Sequence, residues 1–260
     1  MRQTATDMTE TGAGPAIVNH SESEQTVRDE LSIAYRYVAM QGWSNSIFNH
    51  LTARIPGRED HFLVKRHGDL FSEVRPDTLI VINVDGAPLS FNDDINPAAF
   101  AIHSAILRSR PDVNAVLHVH TPVGVALATT SRGFLHISQE ACFFYDRVSY
   151  HSFNGVESEA AQCDALAVAL AVHHHTLILR NHGLLICGHT VREAVLRLSY
   201  FYECVQAQMI ALAADPTLSE LTPDICIDVR DQFERQNLAS GMEAEWRAIR
   251  RMVSASSLRP

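Results

Sequence analysis

Between Asn96 and His120 the sequence dictates a local order. NPAAFAIHSAILRS has apolar residues at helical spacing, Arg110-Pro111-Asp112 breaks that pattern, and AVLHVH follows as a short apolar run. A helix therefore feeds a buried strand, and a strand of this kind needs cover on its faces. Side chains two apart in a strand project from the same face, so His118 and His120 stand about 7 Å apart on one side of the sheet. Two imidazoles so placed can converge on one metal ion. Taken alone, the pair also fits two hydrogen-bonded histidines with no metal between them.

The remaining elements agree with a layered α/β arrangement. Residues from Glu24 to Gln41 carry Val27, Leu31, Ala34, Tyr35 and Val38 at helical spacing and stop at Gly42. The segments NHLTARIP (49–56), HFLVK (61–65) and TLIVIN (78–83) are β-rich and separated by Pro, Gly and Asp. Helical spacing returns over 122–129, 157–172, 191–213 and 242–254, and TLILR (176–180) and LLIC (184–187) read as strands joined through Asn181-His182-Gly183. Thr190 followed by Glu193 fits a capping box. Residues from Thr130 to Gly155 and the polar stretch around Pro216 and Pro223 show no period. There is no regular βαβ alternation, so the fold expected is a three-layer α/β/α domain with a largely antiparallel central sheet over 21–260, with a C-terminal helical extension, preceded by a polar arm over 1–20.

Charge and cysteine usage narrow the function. The formal net charge of −9 would repel a phosphate backbone, and no basic stripe interleaved with aromatics is present, so nucleic acid is not an expected partner. No leader pattern and no apolar run near the roughly 20 residues of a membrane span appears, so a soluble, cytoplasmic protein without a membrane partner is expected. Five scattered cysteines form no Cys-x-x-Cys pair and read as buried, reduced thiols.

Histidine stands out, with 14 in the chain. His182, at a strand end beside Gly183, supplies a third ligand to His118 and His120 and completes the three-ligand pattern of a catalytic metal with an open position. His173-His174-His175 runs consecutively between a helix and a strand and reads as a solvated loop. His50, His61, His67, His136, His151 and His189 lack a partner at ligand spacing and read as surface or supporting groups. His103 lies on the helix before the His118 strand. It either donates to a ligand near the metal or is a satisfied structural histidine.

The segments FNHLTARIPG, HFLVKRHGDLFSEV, IHSAILRSRPDVNAVLHVHTP and LILRNHGLLICGHTVREA together resemble the class II aldolase/adducin family over roughly residues 25–210. The resemblance implies an α/β/α fold, a homotetramer with sites at subunit interfaces, and a divalent metal (Zn, Mn or Fe(II)) on His118, His120 and His182. It puts Asn49 at a position for a backbone or anion contact. It assigns Lys65 and Arg66 to part of the phosphate cradle, where they either pair with a substrate carboxylate or form a solvated strand end. Tyr145 is a candidate proton donor from the irregular segment, with Phe143 and Phe144 as core.

Two departures redirect the chemistry. Where the family's sugar-phosphate enzymes carry an acidic residue four before the helix histidine, this chain has Ala99. Where they place hydroxyl residues for phosphate, it has Pro97 and Ala98. The expected activity is thus a metal-dependent lyase on a small, non-phosphorylated carbonyl or carboxylate compound, by decarboxylation or retro-aldol cleavage, with His103 and Tyr145 as catalytic candidates. The alternatives are a non-haem Fe(II) oxygenase on the same three histidines and a non-catalytic adducin-like interaction module.

Overall fold

Strand-by-strand alternation between two buried faces organises the chain. The computed structural model describes residues 24–86, 95–155, 160–240 and 242–256, and the arm expected over 1–20 lies outside them. Among these residues seven strands form one sheet: β1 (His50–Ile55), β2 (Arg58–Val64), β3 (Ile80–Asn83), β4 (Ala115–Val119), β5 (Val148–His151), β6 (Thr176–Leu179) and β7 (Gly183–Gly188). Their order is β3-β2-β1-β4-β7-β6-β5. Every neighbouring pair is antiparallel except β5 with β6.

On one face Leu51, Leu117, Leu184 and Ile186 pack against α1 (Glu24–Met40), α6 (Val191–Ala214) and α8 (Glu243–Ser256), joined by Leu127 from α3 (Pro122–Thr129). On the other face Val116, Leu177, Leu179 and Leu185 meet α2 (Pro97–Ser109) and α5 (Ala160–Ala169). The three-layer α/β/α reading holds. The period-2 alternation of β4 explains it: Ala115, Leu117 and Val119 serve one core, while Val116 and His118 turn to the α2 side.

Three elements lay outside the sequence expectation, one strand and two helices. β5 is an edge strand whose side chains alternate between buried and exposed, so four residues of VSYH carry little apolar signal. The helix α7 (Pro223–Ser240) begins at Pro223, a residue whose fixed φ and missing N–H suit a first helical turn rather than a break. A short helix, α4 (Gln139–Cys142), is capped by the Ser138 hydroxyl, which accepts from the Ala141 N–H. The Thr190 cap on α6 is present as expected, accepting from the Glu193 N–H at 3.2 Å, while the Glu193 carboxylate accepts from the His189 N–H. Of the cysteines, Cys142, Cys187, Cys204 and Cys226 are buried free thiols. The side chain of Cys163 is outside the described set.

The inner face of β1 is polar along its whole length. His50, Thr52 and Arg54 alternate with Leu51, Ala53 and Ile55, and all six are buried. Arg54 satisfies its guanidinium on carbonyls at the end of α2 and the turn after it: Nη2 donates to Leu107 O at 2.6 Å and to Val113 O at 3.1 Å. A cation there also meets the negative end of the α2 dipole. On the opposite face the buried Tyr35 hydroxyl stitches α1 to two strands, donating to Leu51 O at 2.5 Å and accepting from Leu51 N at 3.0 Å and Lys65 N at 3.3 Å.

Tyr35→Phe leaves those backbone groups buried without their partner, and the expected loss is about 2 kcal/mol of unfolding free energy. Urea denaturation checks it, and a change below about 0.5 kcal/mol would show that the backbone finds other partners.

Candidate metal centre

β4 and β7 run antiparallel, so the C-terminal end of one lies beside the start of the other: Val119 pairs with Leu184 and His118 with Leu185. This brings His118, His120 and His182 to one edge of the sheet. Their ring centroids lie 4.5 Å (His118–His120), 4.8 Å (His118–His182) and 4.6 Å (His120–His182) apart. One nitrogen from each lies within 4.8 Å of the others. Close approach of the two strand ends requires Gly183, because a Cβ there would stand 2.7 Å from Val119 O and 2.9 Å from His120 Cδ2.

The hydrogen bonds fix which nitrogens face inward. A carbonyl only accepts, so the 2.9 Å contact of His118 Nδ1 with Leu184 O puts the proton on Nδ1 and leaves the Nε2 lone pair toward the cluster. His118 Nε2 and His120 Nε2 are 2.7 Å apart, a spacing that requires a proton on one of them or a cation shared by both. His182 Nδ1 is buried and has no hydrogen-bond partner. Three nitrogen donors with an orphaned buried one among them fit a borderline divalent metal with a position left open. Among the described residues no carboxylate joins this cluster.

Burial keeps these imidazoles in the neutral form that ligation needs. Desolvation pushes His118 well below its ordinary value near 6.5 and lowers His182, and it takes His120 down to about 4. Directly behind lies a second pair. His50 faces His118 across the β1–β4 register with ring centroids 5.0 Å apart, and its Nδ1 shares a 2.9 Å hydrogen bond with His103 Nε2. His103 Nδ1 is held in turn by the Thr52 hydroxyl at 2.7 Å. Burial first, and neighbouring imidazoles second, hold both well below the usual range.

The sequence-derived candidates are distributed as follows. Asn49 is fully buried and makes the backbone contact instead of facing an anion: its Oδ1 accepts from the His120 backbone N–H at 3.2 Å, and its Nδ2 donates to Trp43 O at 2.9 Å. Among the described residues Lys65 pairs with no carboxylate, and it is buried. Its ammonium is spent on three carbonyls, Ile47 and Arg66 at 3.1 Å and His67 at 3.3 Å, tying the segment before Asn49 to the end of β2. Desolvation takes it down to about 8. Arg66 is exposed. Tyr145 is not brought to the trio. It precedes β5 at the opposite end of the sheet, its ring 5.0 Å from that of His136 and its carbonyl accepting from Arg230. Phe144 is core, and Phe143 stacks on Phe233.

One reading is sharpened and one corrected. Of the two roles expected of His50, surface or supporting, it takes the second, buried against His118; its only sequence signal was a polar residue alternating with apolar ones in β1. The 173–175 run is not a uniformly solvated loop: His174 Nδ1 bonds to Ser149 Oγ at 2.6 Å, and burial and nearby arginines hold His175 well below 6.5.

The family model described as the Class II Aldolase and Adducin N-terminal domain matches residues 29–209. The chain belongs to the class II aldolase and adducin family. It is 33% identical over 237 residues to a Pseudomonas aeruginosa protein assigned by name to the class 2 aldolases, covering 90% of this chain and 91% of that one. It is 34% identical over 204 residues to mouse alpha-adducin, where the match spans 77% of this chain and 28% of the adducin. Among solved structures, an aldolase II superfamily protein from Pseudomonas syringae superposes with a TM-score of 0.85 at 33% identity, covering 92% and 96% of the two chains. L-fuculose 1-phosphate aldolase from Glaciozyma antarctica gives 0.74 at 28%, covering 85% and 86%.

Gly183→Ala pushes on the Val119 carbonyl and the His120 ring, and zinc affinity measured by competitive chelation is expected to fall about tenfold or more; unchanged affinity would mean that the strands yield without moving the ligand. The buried histidines also set an acid limit. Each is a base with a folded pKa below its unfolded value near 6.5, so the unfolded chain takes up more protons as pH falls through that value. The metal-free protein should keep its stability above about pH 6.5 and lose it progressively below. Thermal melts across that range check the sign, and a midpoint that rises on acidification would contradict it.

Proposed function

We propose that the protein is a metal-dependent carbon–carbon lyase acting on a small, non-phosphorylated carbonyl compound that bears a carboxylate. The observation that carries this reading is the convergence of three neutral imidazoles, one with an orphaned buried nitrogen, in a chain of the class II aldolase and adducin family. His118, His120 and His182 would hold the ion, of which zinc, manganese and iron(II) all suit the donor set. Bound there, it would supply Lewis-acid polarisation of a carbonyl oxygen.

The chain's own residues do the rest. Asn49 fixes the backbone of His120, and Leu184 O fixes the ring of His118, so the donors need little reorganisation. Phe153, half exposed with its ring 6.4 Å from that of His182, gives the approach an apolar side. The sequence carries Ala99 and Pro97 where the resemblance leads one to expect an acid and a phosphate-binding hydroxyl, which favours a substrate without phosphate and a cleavage that needs no strong base to begin. In a decarboxylation of this kind the bond from the α-carbon to the carboxylate carbon breaks. Carbon dioxide leaves, the electron pair stays on the α-carbon beside the carbonyl, and a proton is taken up at that carbon. A homotetramer and a cytoplasmic location belong to the same proposal, and size-exclusion with light scattering measures the former. No helix among the described residues is long and apolar enough to cross a membrane.

Elemental analysis of anaerobically purified protein, with a screen of 2-oxo and 3-oxo carboxylates for released carbon dioxide or aldehyde, tests the reading. About one zinc or manganese per chain is expected, with metal lost in His118→Ala and His182→Ala. Iron accompanied by oxygen consumption would replace the lyase by an oxygenase. No bound divalent metal would leave the adducin-like, non-catalytic reading.

A further inference from the structure

A second concavity opens at the far end of β4 and β7, five residues along β7 from His182 and so about 17 Å from the trio. Its volume is about 630 Å³, within the usual size range of small-molecule sites. Cys187 and Gly188, at the end of β7, line it together with His175. One side is apolar and flat: Phe143 and Phe233 stack with centroids 3.7 Å apart and planes 7° apart. Arg110, Arg147 and Arg197 line the same space, together with the acidic residues Asp112, Glu193 and Glu234.

Each of these arginines has a carboxylate partner, and two of the three pairs are asymmetric in their exposure to water, whereas Arg197 and Glu193 are 18% and 20% exposed. Arg110 and Arg147 have side chains 10% and 17% exposed, whereas their partners Asp112 and Glu234, at 2.7 and 2.8 Å, are 42% and 40% exposed. At Arg110 and Arg147 water screens the acid more than the base, so that side of the cavity is left positive. The buried His175 reports that field. After desolvation, the largest influences lowering its pKa are Arg197 and Arg147, and no carboxylate is among the causes. Arg197 and Arg110 also donate to backbone carbonyls, Cys187 O at 2.8 Å and Ala171 O at 3.0 Å, so their forks are held in place before any ligand arrives. Fixed guanidiniums beside a stacked aromatic wall suit a molecule with a planar body and an anionic head.

We propose that this cavity is a second ligand site, separate from the histidine trio, which takes a small organic anion with its flat apolar body against Phe143 and Phe233 and its carboxylate or phosphate at Arg147 and Arg197. The site is independent of the lyase reading, because none of its residues belongs to the trio or its supports.

Isothermal titration of the full-length, metal-loaded protein tests it with three probes of one shape: 2-naphthoate, 2-naphthyl phosphate and the neutral 2-naphthalenemethanol. Val172 lines the cavity and is 70% exposed, so Val172→Glu puts a negative charge at the mouth without disturbing the core. Saturable binding of one charged probe is expected, weakened about tenfold or more in Val172→Glu and in Arg147→Gln, and at least as weak for the neutral alcohol. The tighter of the two anions identifies the head group. His118→Ala should bind the anion as the parent does. The proposal is overturned by no saturable binding of either anion, by equal binding of the alcohol, or by affinity that ignores Val172→Glu. Binding lost in His118→Ala would equally overturn it, by moving the anion to the metal centre. Should Arg147→Gln fail to fold, Val172→Glu decides.

Discussion

Imidazoles occupy a sheet face where hydrocarbon usually packs, and much of the site geometry follows from keeping them satisfied and neutral. His50 and His118 are directly opposed across β1 and β4, and His103 closes over them from α2 with Thr52 as its own support. In a desolvated layer an imidazolium has no water to stabilise it, so each ring must find neutral partners. That requirement explains the polar inner edge of β1 and the contact of α2 with it. It also explains why His118 reaches the cluster with its proton committed to Leu184 O. The lone pairs left over are the ones that meet at the strand ends.

The strand ends themselves are positioned by backbone demands of a different kind. Asn49 grips the His120 N–H, Lys65 gathers three carbonyls from the flanking loops, and Gly183 makes room where β7 passes β4. Lys65 illustrates how a charged residue can be structural: its ammonium is taken out of water and satisfied by carbonyl oxygens instead of a counter-ion, which is also why its pKa falls. A site assembled this way is held by specific contacts from segments far apart in the chain, of which Asn49 reaches the trio directly.

The same two strands that carry histidines at one end carry an arginine-lined cavity at the other. Between them lie fully buried residues such as Leu117, Leu185 and Ile186, so the two ends share one rigid element but no solvent. The family scaffold accounts for the histidine end. The cavity end is built from α6, α7, the end of β7 and the loops before β4, β5 and β6.

Much of the architecture was legible from periodicity, because the period of two in β4 and the helical spacing of α1, α2 and α6 are local properties that burial on one face imposes. The pairing of His118 with His120 is of that kind. Recognising His182 as their partner took a strand-end glycine and the resemblance together. β5 and α7 were missed because an edge strand needs few apolar residues and because a proline at a helix start looks like a break. The sequence by itself determined which histidines share a face and that buried strands alternate with covering helices. Only the tertiary structure decided that His50 stands against His118, that Lys65 turns to carbonyls and that Tyr145 lies at the far end of the sheet. Those outcomes depend on the register between strands far apart in the chain, and register is set by the packing of the whole sheet between its two helical layers.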